Sequence, residues 1–266
     1  MLLYFRLCRL SPKTTMHRLT ALLFCLALSV FSGFSASAHA TEDGFRSPDE
    51  LMFWIENYAG HPEPERIPAA FRSIQSTALV RISSDFVVIL GGFFAAAFQR
   101  HPERVDAWVA AMERDLNADS APVFLQTLLL AGLPEVAKRV GLRQPERFQN
   151  TAATANLLKS FAELTPEDGE DAILAWWGAF FIDNDAAPVE RIIGALHGFP
   201  GDKTLSRRKA ATLRMAFRSL ANFAPKSPRI RAICENALRE TDDPQIAEGL
   251  RKVLENLPEN TVTPVP

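Results

Sequence analysis

Cysteine is nearly missing from this sequence. The 266 residues hold three, and two of them, Cys8 and Cys25, lie in the first 40. The third, Cys234, has no partner for an internal disulfide, so a disulfide-stapled scaffold is excluded. Stability must come from a hydrophobic core, and the roughly 226 residues after the first 40 are enough to bury one. Cys234 lies in an apolar helical stripe and reads as a small buried hydrophobe, not a reactive thiol. No segment alternates with the two-residue period of a half-buried strand for any useful length, which argues against a sheet. The short motifs of catalysis are missing too. There is no Gly-x-Ser-x-Gly elbow and no glycine-rich phosphate loop, since Gly91-Gly92 lacks the lysine such a loop needs. His61, His101 and His197 stand at no metal-binding spacing, and His61 and His101 precede proline, as turn residues do. No metal or cofactor is expected.

Acidic residues are absent from the first 40 positions, which carry Arg6, Arg9, Lys13 and Arg18. An apolar run from Leu19 to Phe31 follows, broken only by Thr20 and Ser29, and then small residues ending Ala36-Ser37-Ala38-His39-Ala40. A positive end, an apolar middle and an Ala-x-Ala site are the three parts of a secretory signal peptide. Residues 1–40 are therefore expected to be cleaved on export, with Met16 as an alternative start that gives a leader of more usual size. The run is shorter than the ~20 residues needed to span a bilayer. Phe24 before Cys25 does not suit lipid attachment. The expected destination is periplasmic or extracellular, with no membrane span in the mature chain. Loss of four basic residues takes the formal charge from −2 to about −6, which suits solubility and disfavours nucleic acid as a partner.

What is present throughout is helical spacing. Leu51, Trp54, Ile55 and Tyr58 fall at i, i+3, i+4 and i+7, as do Val105, Trp108, Val109 and Met112, and Val189, Ile192, Ile193 and Leu196. Each set forms one stripe that must be buried against another element. Capping residues precede proline at Ser47-Pro48, Thr165-Pro166, Ser227-Pro228 and Asp243-Pro244, the signature of a helix start. Phe86–Phe98 and Ile173–Ile182 are apolar all round, as core helices are. The Gly91-Gly92 pair within the first marks either a close helix contact or a kink. The spacing predicts helices over 48–59, 64–82, 85–99, 102–115, 122–131, 134–141, 151–163, 166–183, 188–197, 204–223, 228–240 and 244–257. The expected fold is all-α, an irregular array of antiparallel helical hairpins, either α-solenoid-like or a bundle, in one domain over 41–257. A disordered tail is expected over 258–266. Residues 88–112 align without gaps on 172–196, with five identities, consistent with a helical-hairpin repeat of irregular period.

Function is barely legible. The carboxylates Glu167, Asp168, Glu170 and Asp171 read as a solvated helix start, and Asp183 and Asp185 as a turn. Arg207-Arg208-Lys209 reads as a solvated face, with an anionic envelope surface as a further reading. Trp54, Tyr58, Trp108 and Trp177, with Arg66, Arg104 and Arg191, form a candidate anchor set for a protein or peptide partner. Core packing is the favoured reading of the aromatics, Trp176 included, and the anchor set applies only if one stripe is left exposed. The expectation is thus an exported, non-catalytic helical binding or scaffold protein. The alternative is a cell-envelope hydrolase using a carboxylate pair that the sequence does not identify.

Overall fold

Four cap–proline pairs in the sequence each open an element in three dimensions, and they set the register of the chain. A computed structural model describes residues 44–77, 83–143, 159–200 and 205–255. The expected leader, the segment 151–158 and the tail from 258 lie outside these residues. Among the described residues the fold is all-α, with eleven α-helices and no strand. They are α1 (Pro48–Asn57), α2 (Ile67–Thr77), α3 (Asp85–Arg100), α4 (Val105–Arg114), α5 (Ser120–Leu130), α6 (Pro134–Arg143), α7 (Glu170–Asp183), α8 (Ala186–Gly194), α9 (Arg207–Phe223), α10 (Pro228–Glu240) and α11 (Pro244–Glu255). Short 3-10 turns at Tyr58–Gly60, Pro64–Arg66, Pro102–Arg104 and Pro166–Asp168 precede or follow them.

The caps work as their chemistry requires. The hydroxyls of Ser47 and Ser227 accept from the amides of Glu50 and Ile230, and Asp243 accepts from Gln245 and Ile246. Each satisfies an N–H that the helix itself leaves free. Two expectations need correction. Residues 159–163 form a turn, not the end of a helix. The helix expected over 166–183 is two elements, because Thr165 and Asp168 close a capping box around one 3-10 turn and Gly169 then turns to φ 97°. That left-handed backbone favours glycine, and a Cβ there would also meet the Arg208 guanidinium at 3.0 Å.

At the centre of the fold, α3 packs along α7, the most extensive contact between any two helices. Both are apolar all round, and both are buried over nearly their whole length. Glycine permits the approach. A Cβ on Gly92 would lie 2.4 Å from the Ala175 carbonyl oxygen, and one on Gly178 would lie 2.2 Å from that of Ile89. Gly91 faces the other way, against Gln126 of α5. The glycine pair therefore serves close packing on two sides. Helices α2, α4, α5 and α6 gather on the α3 side and α8 to α11 on the α7 side, while α1 packs on α2 and α7 and sets Trp54 against Phe93 of α3. The ungapped alignment relates α3–α4 to α7–α8, so the leading helices of the two aligned segments are the ones that touch. No helix among the described residues is long and apolar enough to cross a membrane.

Candidate functional site

The aromatics lie in the core, the reading their helical spacing favoured, and no stripe is left exposed to serve as an anchor set. Trp54, Tyr58, Trp108, Trp176 and Trp177 are all buried, none more than 8% exposed. Trp54 lies 5.1 Å from both Phe45 and Tyr58 and 5.5 Å from Phe93. Trp177 lies 4.6 Å from Phe223 of α9. Trp108 packs on Phe98 and His101. A partner could reach these rings only if helices parted. The reason is geometric: a stripe at helical spacing is buried by whichever neighbour arrives, and here the neighbours are this chain's own helices.

The three arginines serve the fold as well. Arg66 donates to Glu63 at 2.8 Å and lies 4.4 Å over the Phe45 ring and 5.7 Å from the Trp54 ring. The Trp54 indole donates to the same carboxylate at 2.8 Å. Burial pushes Glu63 up, but the bonds from Arg66 and Trp54 and the Arg66 charge outweigh it and hold the carboxyl below its ordinary range. Arg191 donates to the carbonyls of Phe161 and Leu164 and ties down the turn before α7. Arg104 pairs with neighbouring Glu103. Trp54, Tyr58 and Arg66 are brought together, while Trp108, Trp177 and Arg191 belong to other clusters.

Three features that the motif reading missed are more open. Phe53 is 63% exposed, the one exposed large apolar side chain among the described residues. One turn away along α1 lie Asp49, Glu50 and Glu56, all exposed. A signal existed: Phe53 falls opposite the stripe of Leu51, Trp54, Ile55 and Tyr58 on a helical wheel.

The second feature is an acid pair. Asp85 and Glu170 open α3 and α7, and the Asp85 charge reaches Glu170. Burial raises Glu170, Arg214 opposes this, and Asp85 and Asp171 add to the rise. Burial raises Asp85, against a bond from Ser83. Their positions differ by 85 residues in sequence, so spacing rules had nothing to find. Asp168, by contrast, is committed to the capping box and to Lys159 at 2.7 Å.

The third is a cleft of about 60 Å³ between the Pro166–Asp168 turn, the end of α8 and the start of α9. Pro166, Glu167, Gly194, Ala195, His197, Lys209 and Thr212 line it. Ser206 caps α9 by accepting from the Lys209 amide, which fixes where that side chain leaves the helix. Nδ1 of His197 lies 2.7 Å from Oδ2 of Asp243. The bond from His197 lowers Asp243 below its ordinary value, burial opposes this, and the amides of Ile246 and Gln245 and the His197 charge add to the lowering. An ionised carboxylate only accepts, so Nδ1 carries the proton. Asp243 was legible as a cap, but its second task, 46 residues from His197, was not.

No protein-family model, no curated protein and no solved structure matches this chain.

Proposed function

We propose that the chain is an exported helical binding protein, periplasmic or extracellular, built of stacked helical hairpins and engaging a protein partner through the outer face of α1. The leader pattern of residues 1–40 supports export. The observation that carries the binding reading is Phe53, a 63% exposed aromatic on a helix that buries its other large apolar side chains. Burying such a ring on a partner is worth ~1.5–3 kcal/mol. The acidic flank of Asp49, Glu50 and Glu56 suits a partner with an apolar pocket rimmed by Lys or Arg and steers its approach. This moves the contact from the buried aromatics to the one left in water. A photoreactive phenylalanine analogue at position 53 tests it, with the same analogue at exposed Ala110 as control. A discrete cross-linked partner is expected at 53 and not at 110, and it should be lost when Asp49, Glu50 and Glu56 are neutralised. Identical cross-linking at both positions refutes the reading.

Asp85 and Glu170 favour a second reading, a hydrolase of cell-envelope material in which Glu170, raised by burial, would serve as the general acid. It requires that Glu170→Gln abolish release of soluble fragments from envelope polymer while the folded state persists. Activity retained in that variant removes the reading.

A further inference from the structure

The cleft beside His197 makes no use of α1 or of the acid pair, yet its walls are chemically specific. Glu167 and Lys209 both line it, and neither is ion-paired with a described residue. Opposite charges are thus held apart across a small cavity. Thr212, which lines the same cleft, is only 2% exposed and donates its hydroxyl proton to the Arg208 carbonyl at 3.1 Å, which leaves its oxygen lone pairs free to accept. His197 donates its Nδ1–H to Asp243, and its Nε2 bonds no described residue. Two acceptors, the Glu167 carboxylate and Thr212 Oγ, therefore share the cleft with the Lys209 ammonium.

Gly194 completes the wall. A Cβ placed on it would meet nothing within 4 Å, so this side of the cleft is open to an occupant. Its volume of about 60 Å³ is several times the space that one ordered water needs.

We propose that this cleft binds a small zwitterion, a free α-amino acid or a very short peptide. The ammonium is held by Glu167 and Thr212, the carboxylate by Lys209, and any side chain points to solvent. A simple anion would meet one cation and an opposing carboxylate. A simple amine would leave Lys209 unanswered. Only a ligand with both poles on a short backbone satisfies both walls. Charge-assisted hydrogen bonds are the strong ones, so each pole should matter by about tenfold in affinity.

The test uses glycine as the probe, with acetate and methylammonium as single-pole controls. Binding to the full chain is followed by amide shifts of Gly194, Ala195 and Thr212 in labelled protein. Glycine should produce saturable shifts, at least about tenfold tighter than either control. Lys209→Gln and Glu167→Gln should each weaken it by about tenfold or more. Gly194→Trp, which fills open space, should abolish binding with the helical circular dichroism and melting temperature retained. Acetate binding as tightly as glycine reduces the cleft to an anion site, and methylammonium doing so reduces it to a cation site. Either result overturns the proposal, as does the absence of saturable shifts up to about 100 mM.

Discussion

Replacing Gly178 with alanine adds one methyl group where the two central helices touch. The new Cβ would lie 2.2 Å from the Ile89 carbonyl oxygen, 2.7 Å from the Phe93 nitrogen and 3.0 Å from the Gly92 carbonyl carbon. Ordinary contact begins at about 3.4 Å, so α3 and α7 would have to part by about 1 Å. The obstructing atoms are backbone within a buried helix, and no rotamer change can move them. A gap of that size forfeits roughly a quarter to a half of each contact's dispersion energy along the seam. Overpacking of this kind costs ~1–3 kcal/mol, and this site belongs at the top of that range. Alanine returns ~1 kcal/mol through its higher helix propensity. The net loss is thus ~2 kcal/mol, a fall in melting temperature of roughly 4–8 °C for a domain of this size. Gly141→Ala is the control. It lies in α6 with nothing within 4 Å of its Cβ, so it keeps the propensity gain of up to ~1 kcal/mol without the clash. Thermal and urea unfolding followed by far-ultraviolet circular dichroism measure both variants. If Gly178→Ala melts within a degree of the parent, or rises alongside Gly141→Ala, the close helix crossing is wrong.

Trp177→Ala should destabilise the protein by ~3–5 kcal/mol in urea titrations, because the ring packs on Phe180, Phe181 and Phe223 in the core; a loss under 1 kcal/mol would mean the ring is not core. Burial, with Glu235 adding, pushes the Cys234 thiol up to about 12. Peptide mapping after iodoacetamide treatment at pH 8 should therefore find Cys234 unmodified in the folded chain and modified after unfolding. Burial likewise pushes Tyr58 up to about 12, with Glu65 and Glu63 adding and Arg104 opposing. The folded state then keeps a proton that the unfolded chain releases near 10, so stability is unaffected below pH 10 and declines as pH climbs from there toward 12. Ultraviolet titration of the chain without residues 1–40, in which Tyr58 is the sole tyrosine, reads this directly; ionisation near pH 10 in the folded protein would contradict it. Asp243 is lowered in the folded state, so its contribution is present at neutral pH and lost as pH falls through the carboxylate range. Asp243→Asn should flatten the acid limb of the stability–pH curve.

The sequence by itself determined the helical class and most helix starts. These depend on interactions within one turn, where a Ser, Thr or Asp cap meets a proline and acceptor and donor are only two or three residues apart. It also marked which faces must be covered, since Leu51, Trp54, Ile55 and Tyr58 share a stripe whatever lies opposite. Phe53 also falls off that stripe, a signal the motif reading passed over. The sequence did not determine what covers each face. That the Trp54 ring meets Phe93 and Glu63, and the Trp177 ring meets Phe223, follows from helices brought together across long stretches of chain. The tertiary structure alone decided that no aromatic stripe stays exposed to act as an anchor set. It also brought Glu170 within reach of the Asp85 charge, and set His197 beside Asp243 and the Lys209 wall. A local rule sees side chains a turn apart; a site is made by side chains that only packing makes neighbours.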